Sequence, residues 1–174
     1  MVKILLYLTF NFFEALMKKL LILLFLFGFN NVYAESGKYS TYSVCDYDKS
    51  EINSNNKTIM SIFFECIATV IKSDNNLFKV NDNSFGVTIA TIIKSSKGMD
   101  LTSYNTITSS SNPDDKIFSE NIRKVGDVKS GGKGKSILVG GTGKYAGITG
   151  ECEYTVKYLP KNKINGIFDC SYTK

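Results

Sequence analysis

Ten tyrosines, four cysteines and one arginine, Arg123, are the side chains with which this 174-residue chain could act on another molecule, and it contains no histidine. The missing imidazole excludes Ser-His-Asp and Cys-His nucleophilic arrangements and removes the usual nitrogen ligand of zinc and copper sites. No metal and no other cofactor is therefore expected. The cysteines, at 45, 66, 152 and 170, follow a segment that reads as an export signal, so they are expected as two disulfides and not as thiolates. Among the carboxylates, Glu65 stands out because it sits between Phe64 and Cys66 in an apolar run. Pointed into a core it would be an acid with a raised pKa. Strand alternation instead places Ile62, Phe64, Cys66, Ala68 and Val70 on the inner face and turns Glu65 outward with Ser61, Phe63 and Thr69. No catalytic residue is assigned.

Two glycine patterns imitate nucleotide sites. Gly141-Thr142-Gly143-Lys144-Tyr145-Ala146 matches a dinucleotide fingerprint by letter, but that loop must open a helix, and a strand pattern follows here. Gly134-Lys135-Ser136 lacks the glycine a phosphate loop needs five positions earlier, where Lys129 stands. The tyrosines are the richer resource. Tyr39, Tyr42, Tyr47, Tyr104, Tyr145, Tyr154 and Tyr158 could line a barrel and hold an apolar ligand, or simply fill its core. Tyr104, Arg123, Tyr145 and Tyr154 are the expected ligand-binding set.

The elements that must position these residues begin after an export signal. Lys18-Lys19, the apolar run over residues 20–29 and Val32-Tyr33-Ala34 form the three parts of a signal peptide cleaved after Ala34. The run is shorter than the roughly 20 residues a membrane span requires. Residues 1–34 are thus expected to be removed, with residues 1–16 an upstream extension of the reading frame before Met17. No stable membrane anchor is expected after cleavage, and the protein should be secreted or periplasmic. Without Lys3, Lys18, Lys19 and Glu14, the totals of 21 basic and 16 acidic residues fall to 18 and 15, a net charge of +3. That is too weak to argue for nucleic acid.

Residues 35–174 then form one domain. From Cys152, Tyr154, Val156 and Tyr158 share one strand face; after the turn 160–163, Ile164, Gly166, Phe168, Cys170 and Tyr172 share another. Centring this hairpin on Lys161 sets Cys152 opposite Cys170, Tyr154 opposite Phe168 and Val156 opposite Gly166. The same arithmetic for Cys45 and Cys66 centres on Asn55-Asn56, flanked by strands over 39–47 and 58–71. A crossed pairing between the hairpins is the alternative. Further strands are expected over 77–80, 84–93 and 101–108; residues 117–125 read as a strand or a short helix, and 128–135 as a basic hairpin loop. In the strong strand 84–93, Phe85, Val87, Ile89 and Ile93 share a face, and Phe85 is expected to help fill the core. Phe63, Ile67 and Ile71 leave the outer face of their strand apolar, which points to a homo-oligomer, a dimer or trimer. About eight strands with almost no helix manage their edges best as a closed barrel.

The last element is the stretch Gly140-Gly141-Thr142-Gly143-Lys144-Tyr145-Ala146-Gly147-Ile148-Thr149-Gly150, in which five glycines surround Tyr145, its one large apolar anchor. It resembles the G-G-[ST]-G-x-[FY]-x-G-x-x-G signature of allene oxide cyclases and dirigent proteins. The likeness covers about residues 125–174. It implies an all-β, eight-stranded antiparallel barrel, lipocalin-like in shape, often trimeric, with an apolar cavity in which a substrate's cyclisation or coupling is steered by shape. Gly140, Gly141, Gly143, Tyr145, Gly147 and Gly150 would form its structural turn. Thr149 stands where dirigent proteins often carry arginine, and no catalytic residue transfers. The leading expectation is a protein that binds a small hydrophobic ligand; a dirigent- or cyclase-like enzyme and a filled barrel serving protein interaction are the alternatives.

Overall fold

The computed structural model describes Lys18, Lys19 and residues 34–124, 126, 127 and 130–174. The chain divides into two compact units, residues 1–33 and 34–174. In the first only Lys18 and Lys19 are described, both helical, so the expected signal segment lies almost wholly outside the described residues.

The second unit consists of strands β1 (Ser36–Ser54), β2 (Lys57–Ser73), β3 (Asn83–Ser95), β4 (Gly98–Ser109), β5 (Lys116–Arg123), β6 (Gly132–Gly141), β7 (Thr149–Leu159) and β8 (Lys163–Thr173). One turn of 3-10 helix, Gly143–Tyr145, lies between β6 and β7. Each strand pairs antiparallel with its neighbour in sequence, and β1 pairs with β8, closing an all-β, eight-stranded barrel. Closure satisfies the backbone groups that an open meander would leave at two edges.

Short hairpins set the register. Asn55-Asn56 turns β1 into β2 with Asn56 left-handed (φ 67°), and Lys161 and Asn162 do the same between β7 and β8 (φ 63° and 54°). Asparagine tolerates this region because its short polar side chain bonds locally. Cys45 stands directly opposite Cys66, and Cys152 opposite Cys170. Both pairs are bonded, which rules out the crossed connectivity. Tyr154 faces Phe168 and Val156 faces Gly166 in the expected register.

Three expectations need correction. Residues 77–80 form no strand; Leu77 and Phe78 lie buried in the β2–β3 connection and plug one end of the barrel. The apolar face of β3 points out: Phe85, Ile89 and Ile93 are exposed, while Gly86, Ala90 and Ile92 are buried. The reason is volume. Ile62 and Phe64 of β2 fill the interior beside β3, and their partners Ala90 and Thr88 must be small. Finally, residues 132–135 begin β6 and are not a loop, whereas 128 and 129 lie outside the described residues. The ambiguous segment from 117 is a strand through Arg123.

The interior has two packed ends. At one, Tyr39, Leu77, Phe78, Tyr145, Ile148 and Tyr172 surround the Cys152–Cys170 bridge. Here Phe78 stacks on Tyr39 at 3.7 Å and on Tyr145 at 5.2 Å between ring centroids. At the other, Met60, Ile62, Phe64, Ile92, Leu101 and Ile164 gather around Cys45, with Tyr47 and Tyr158 packed against them.

Candidate ligand-binding cavity

Between the two packed ends lies a cavity of about 160 Å³. Its walls differ in chemistry because the strands differ in what they turn inward. Inward positions of β4, β5 and β6 carry Ser103 and Asn105, then Ser119, Asn121 and Arg123, then Ser136. The register places Ser103 opposite Asn121, Asn105 opposite Ser119, and Asn121 opposite Ser136, so these side chains form one polar band. Strands β7, β8, β1 and β2 contribute mostly apolar groups, among them Val156, Phe168, Phe64 and the sulfurs of both bridges.

Arg123 ends β5 and is only 2% exposed. Its guanidinium carbon lies 5.9 Å from the centroid of the Tyr158 ring. Neither its Nε nor its Nη2 has a partner at hydrogen-bonding distance, and the Tyr158 hydroxyl has none either. Burial pushes the Tyr158 hydroxyl above the usual phenol range, although the Arg123 charge and the longer-range approach of its guanidinium as a donor pull it down. The Tyr154 hydroxyl is pushed up to about 12 by the same burial, again opposed by Arg123. Both phenols stay protonated at neutral pH and can donate. Tyr154 fits because position 134 is glycine: a Cβ there would lie 2.5 Å from the phenol ring and its oxygen. In the polar band, Asn105 donates from Nδ2 to Ser119 Oγ at 2.9 Å, while Asn105 Oδ1 and Asn121 Oδ1 are buried without partners.

Of the expected site residues, Arg123, Tyr145 and Tyr154 line the cavity. Tyr145 does so from the end plug, where burial and the nearby Asp115 carboxylate raise its pKa. Tyr104 does not line it: the residue is 64% exposed, because Ser103 and Asn105 on either side take the inward positions of β4. Tyr42 also faces outward. The glycine-rich turn shapes the end of the barrel, and of its residues only Tyr145 reaches the cavity wall. Gly143 takes a left-handed φ of 56° directly beside Asp115, whose Oδ1 accepts the Lys144 backbone N–H at 2.9 Å. That turn seats Tyr145 and a second anchor, Ile148, which is fully buried. The serine–asparagine band was not anticipated. Its signal was present as the two-residue spacing Ser119, Asn121, Arg123 in line with Ile117, a polar continuation of an apolar face.

No protein-family model and no curated protein matches the chain. Among solved structures, it is similar to a pterocarpan synthase dirigent protein, with a TM-score of 0.51 and 14% identity over 80% of this chain and 88% of that one. It is also similar to a pyocyanin demethylase, with a TM-score of 0.45 and 15% identity over 75% of this chain and 98% of that one. The first likeness is one of fold, and the protein is a dirigent-like eight-stranded barrel. Its two disulfides suit an oxidising compartment.

Proposed function

We propose that this protein is an exported barrel, secreted or periplasmic, that holds one small, mainly apolar ligand in its interior. The observation that carries the reading is the cavity of about 160 Å³ in the barrel interior between two packed ends. A void of ~150 Å³ with apolar walls already admits a single aromatic ring, and interiors without such a role leave few gaps larger than a water molecule. The filled-barrel alternative expects aromatic side chains to occupy this space, but Tyr42, Phe85 and Tyr104 are on the outside, and Tyr154 and Phe168 line the cavity without filling it. A second reading, dirigent-like steering of a reactive substrate, is favoured by the Tyr158 ring and the Arg123 guanidinium facing the same space.

The outer face supports a further part of the reading, a homo-oligomer. Phe63 lies opposite Ile89, Ile67 opposite Phe85, and Ile59 opposite Ile93, all exposed, and Tyr104 extends the stripe from Ile89 onto β4. These apolar pairs alternate along the face with Ser61–Thr91 and Glu65–Val87, and an outer face with this much exposed apolar surface is what a subunit contact covers.

Native mass spectrometry of the protein, exported and purified with its disulfides intact, tests both parts. A co-purifying small molecule, or uptake of a hydrophobic dye, supports the binding cavity. A ligand-free mass with no dye uptake overturns it. Signals at multiples of the subunit mass support the oligomer; a monomer alone at every concentration removes it.

A further inference from the structure

We propose that the cavity ligand is an acid, and that its carboxylate pairs with the guanidinium of Arg123. The inference rests on the cavity reading above and adds the chemical class of what fills it.

Three observations lead there. The first is the buried charge itself. A guanidinium does not give up its proton in a protein, so Arg123 carries its positive charge inside the barrel. Among the described residues no ion pair involves it. The carboxylate of Asp127, beyond the end of β5, accepts the Ser130 backbone N–H at 2.6 Å and its hydroxyl at 2.9 Å, and its charge also reaches the Tyr158 hydroxyl. Water can satisfy an N–H, but it cannot neutralise a buried cation.

The second observation is the guanidinium's unmet donors. Its Nε and Nη2 are buried without a hydrogen-bond partner, and the residue lines the cavity. A carboxylate offers such a fork two acceptor oxygens together with a countercharge, whereas a neutral hydroxyl or carbonyl offers acceptors alone.

The third is the rest of the lining, which fixes the ligand's orientation. The polar band of Ser103, Asn105, Ser119, Asn121 and Ser136 is neutral and offers an anion no countercharge. Asp82, the other charged residue of the lining, accompanies the Phe78 and Tyr145 plug at the opposite end. Arg123 is the one cationic residue of the lining. The apolar lining, from Val156, Phe168 and Phe64, then receives the ligand's body, which at about 160 Å³ is of the bulk of one six-membered ring.

The test compares benzoate with benzyl alcohol, two probes of one shape and different charge, by calorimetric titration against the disulfide-bonded protein at neutral pH. Benzoate should bind at least about tenfold more tightly than the alcohol, since truncating a buried charge-assisted pair typically removes more than that. Its affinity should fall as pH drops through the probe's own carboxyl pKa, while the alcohol's stays level. In Arg123→Met, benzoate should lose that advantage and the alcohol should still bind; Arg123→Lys, which keeps the charge without the fork, should recover only part of it. Benzyl alcohol bound as tightly as benzoate by the unaltered protein overturns this inference and leaves the cavity reading standing. Neither probe bound overturns both. If Arg123→Met does not fold, the two probes and the pH profile of the unaltered protein decide alone.

Discussion

Arg123 works against the stability of the ligand-free barrel. Its cation is buried, two of its donors have no acceptor, and the Tyr158 face offers only a weak quadrupole. An uncompensated charge of this kind costs more than an apolar side chain of similar length, and such replacements commonly stabilise by ~1–4 kcal/mol. Arg123→Met should therefore raise the unfolding free energy of the ligand-free protein by an amount in that range, seen as a higher urea midpoint. A lower midpoint would mean that the guanidinium is compensated inside the barrel. The tyrosines act in the opposite direction and give the protein an alkaline limit. The folded-state pKa of Tyr154 is about 12, above that of about 10 for an unfolded phenol, and Tyr39, Tyr145 and Tyr158 are raised for the same reason, burial. The unfolded chain thus loses these protons first. The stability they contribute is whole below about pH 10 and is lost as pH rises through about 12, with a slope of up to about 1.4 kcal/mol per pH unit for each group. Unfolding free energy measured between pH 9 and pH 12, with tyrosinate absorbance recorded alongside, should show this decline, and Tyr154→Phe should make it shallower.

Hairpins are the units in which the barrel is stapled. Each disulfide joins directly opposed residues of one hairpin, across sequence separations of 21 and 18. By loop entropy each is worth about 3 kcal/mol. The bridges belong to different packed ends, Cys152–Cys170 to the plugged end and Cys45–Cys66 to the other, so their contributions should add. Paired serine replacement of Cys152 and Cys170, or of Cys45 and Cys66, should lower stability by similar amounts in chemical denaturation, and removal of all four by about the sum. A marked excess in the fourfold variant would show that the two bridges are energetically coupled through the barrel. The glycine-rich turn is a different kind of element. Its role is to fold back tightly enough, with Gly143 against Asp115, to set Tyr145 and Ile148 into the plug.

At the scale of the whole molecule, closure leaves two surfaces of opposite use. The inner one is divided into a polar band and an apolar wall around the cavity. The outer one carries the stripe of Ile59, Phe63, Ile67, Phe85, Ile89 and Ile93 across β2 and β3, with Ile67 63% exposed. If copies of the chain cover this stripe, Phe63→Asp with Ile67→Asp should yield a folded monomer in light scattering, with cavity binding kept because neither residue lines the cavity. A monomeric unaltered protein would remove the oligomer reading without touching the site.

Much of the molecule was legible from local pattern. Strand alternation, turn residues and cysteine spacing together determined both terminal hairpins, their register and their bridges. A slip of one residue there would have turned Cys152, Tyr154 and Val156 to solvent at once. The glycine turn and its Tyr145 anchor were equally visible, since only a tight backbone explains that composition. Alternation separates the two faces of a strand but does not say which is inside. That choice is made by volume across the barrel, which is why Phe85 and Ile89 lie outside while Gly86 and Ala90 lie within. It also explains how Tyr104 came to face solvent and how Leu77 and Phe78 became a plug and not a strand. Arg123 was conspicuous in the chain as its one guanidinium. Its burial, its two open donors and its neighbours Asn121 and Tyr158 exist only once β5 is closed between β4 and β6 and faces β7 across the interior, because a charge becomes costly only when the fold removes it from water.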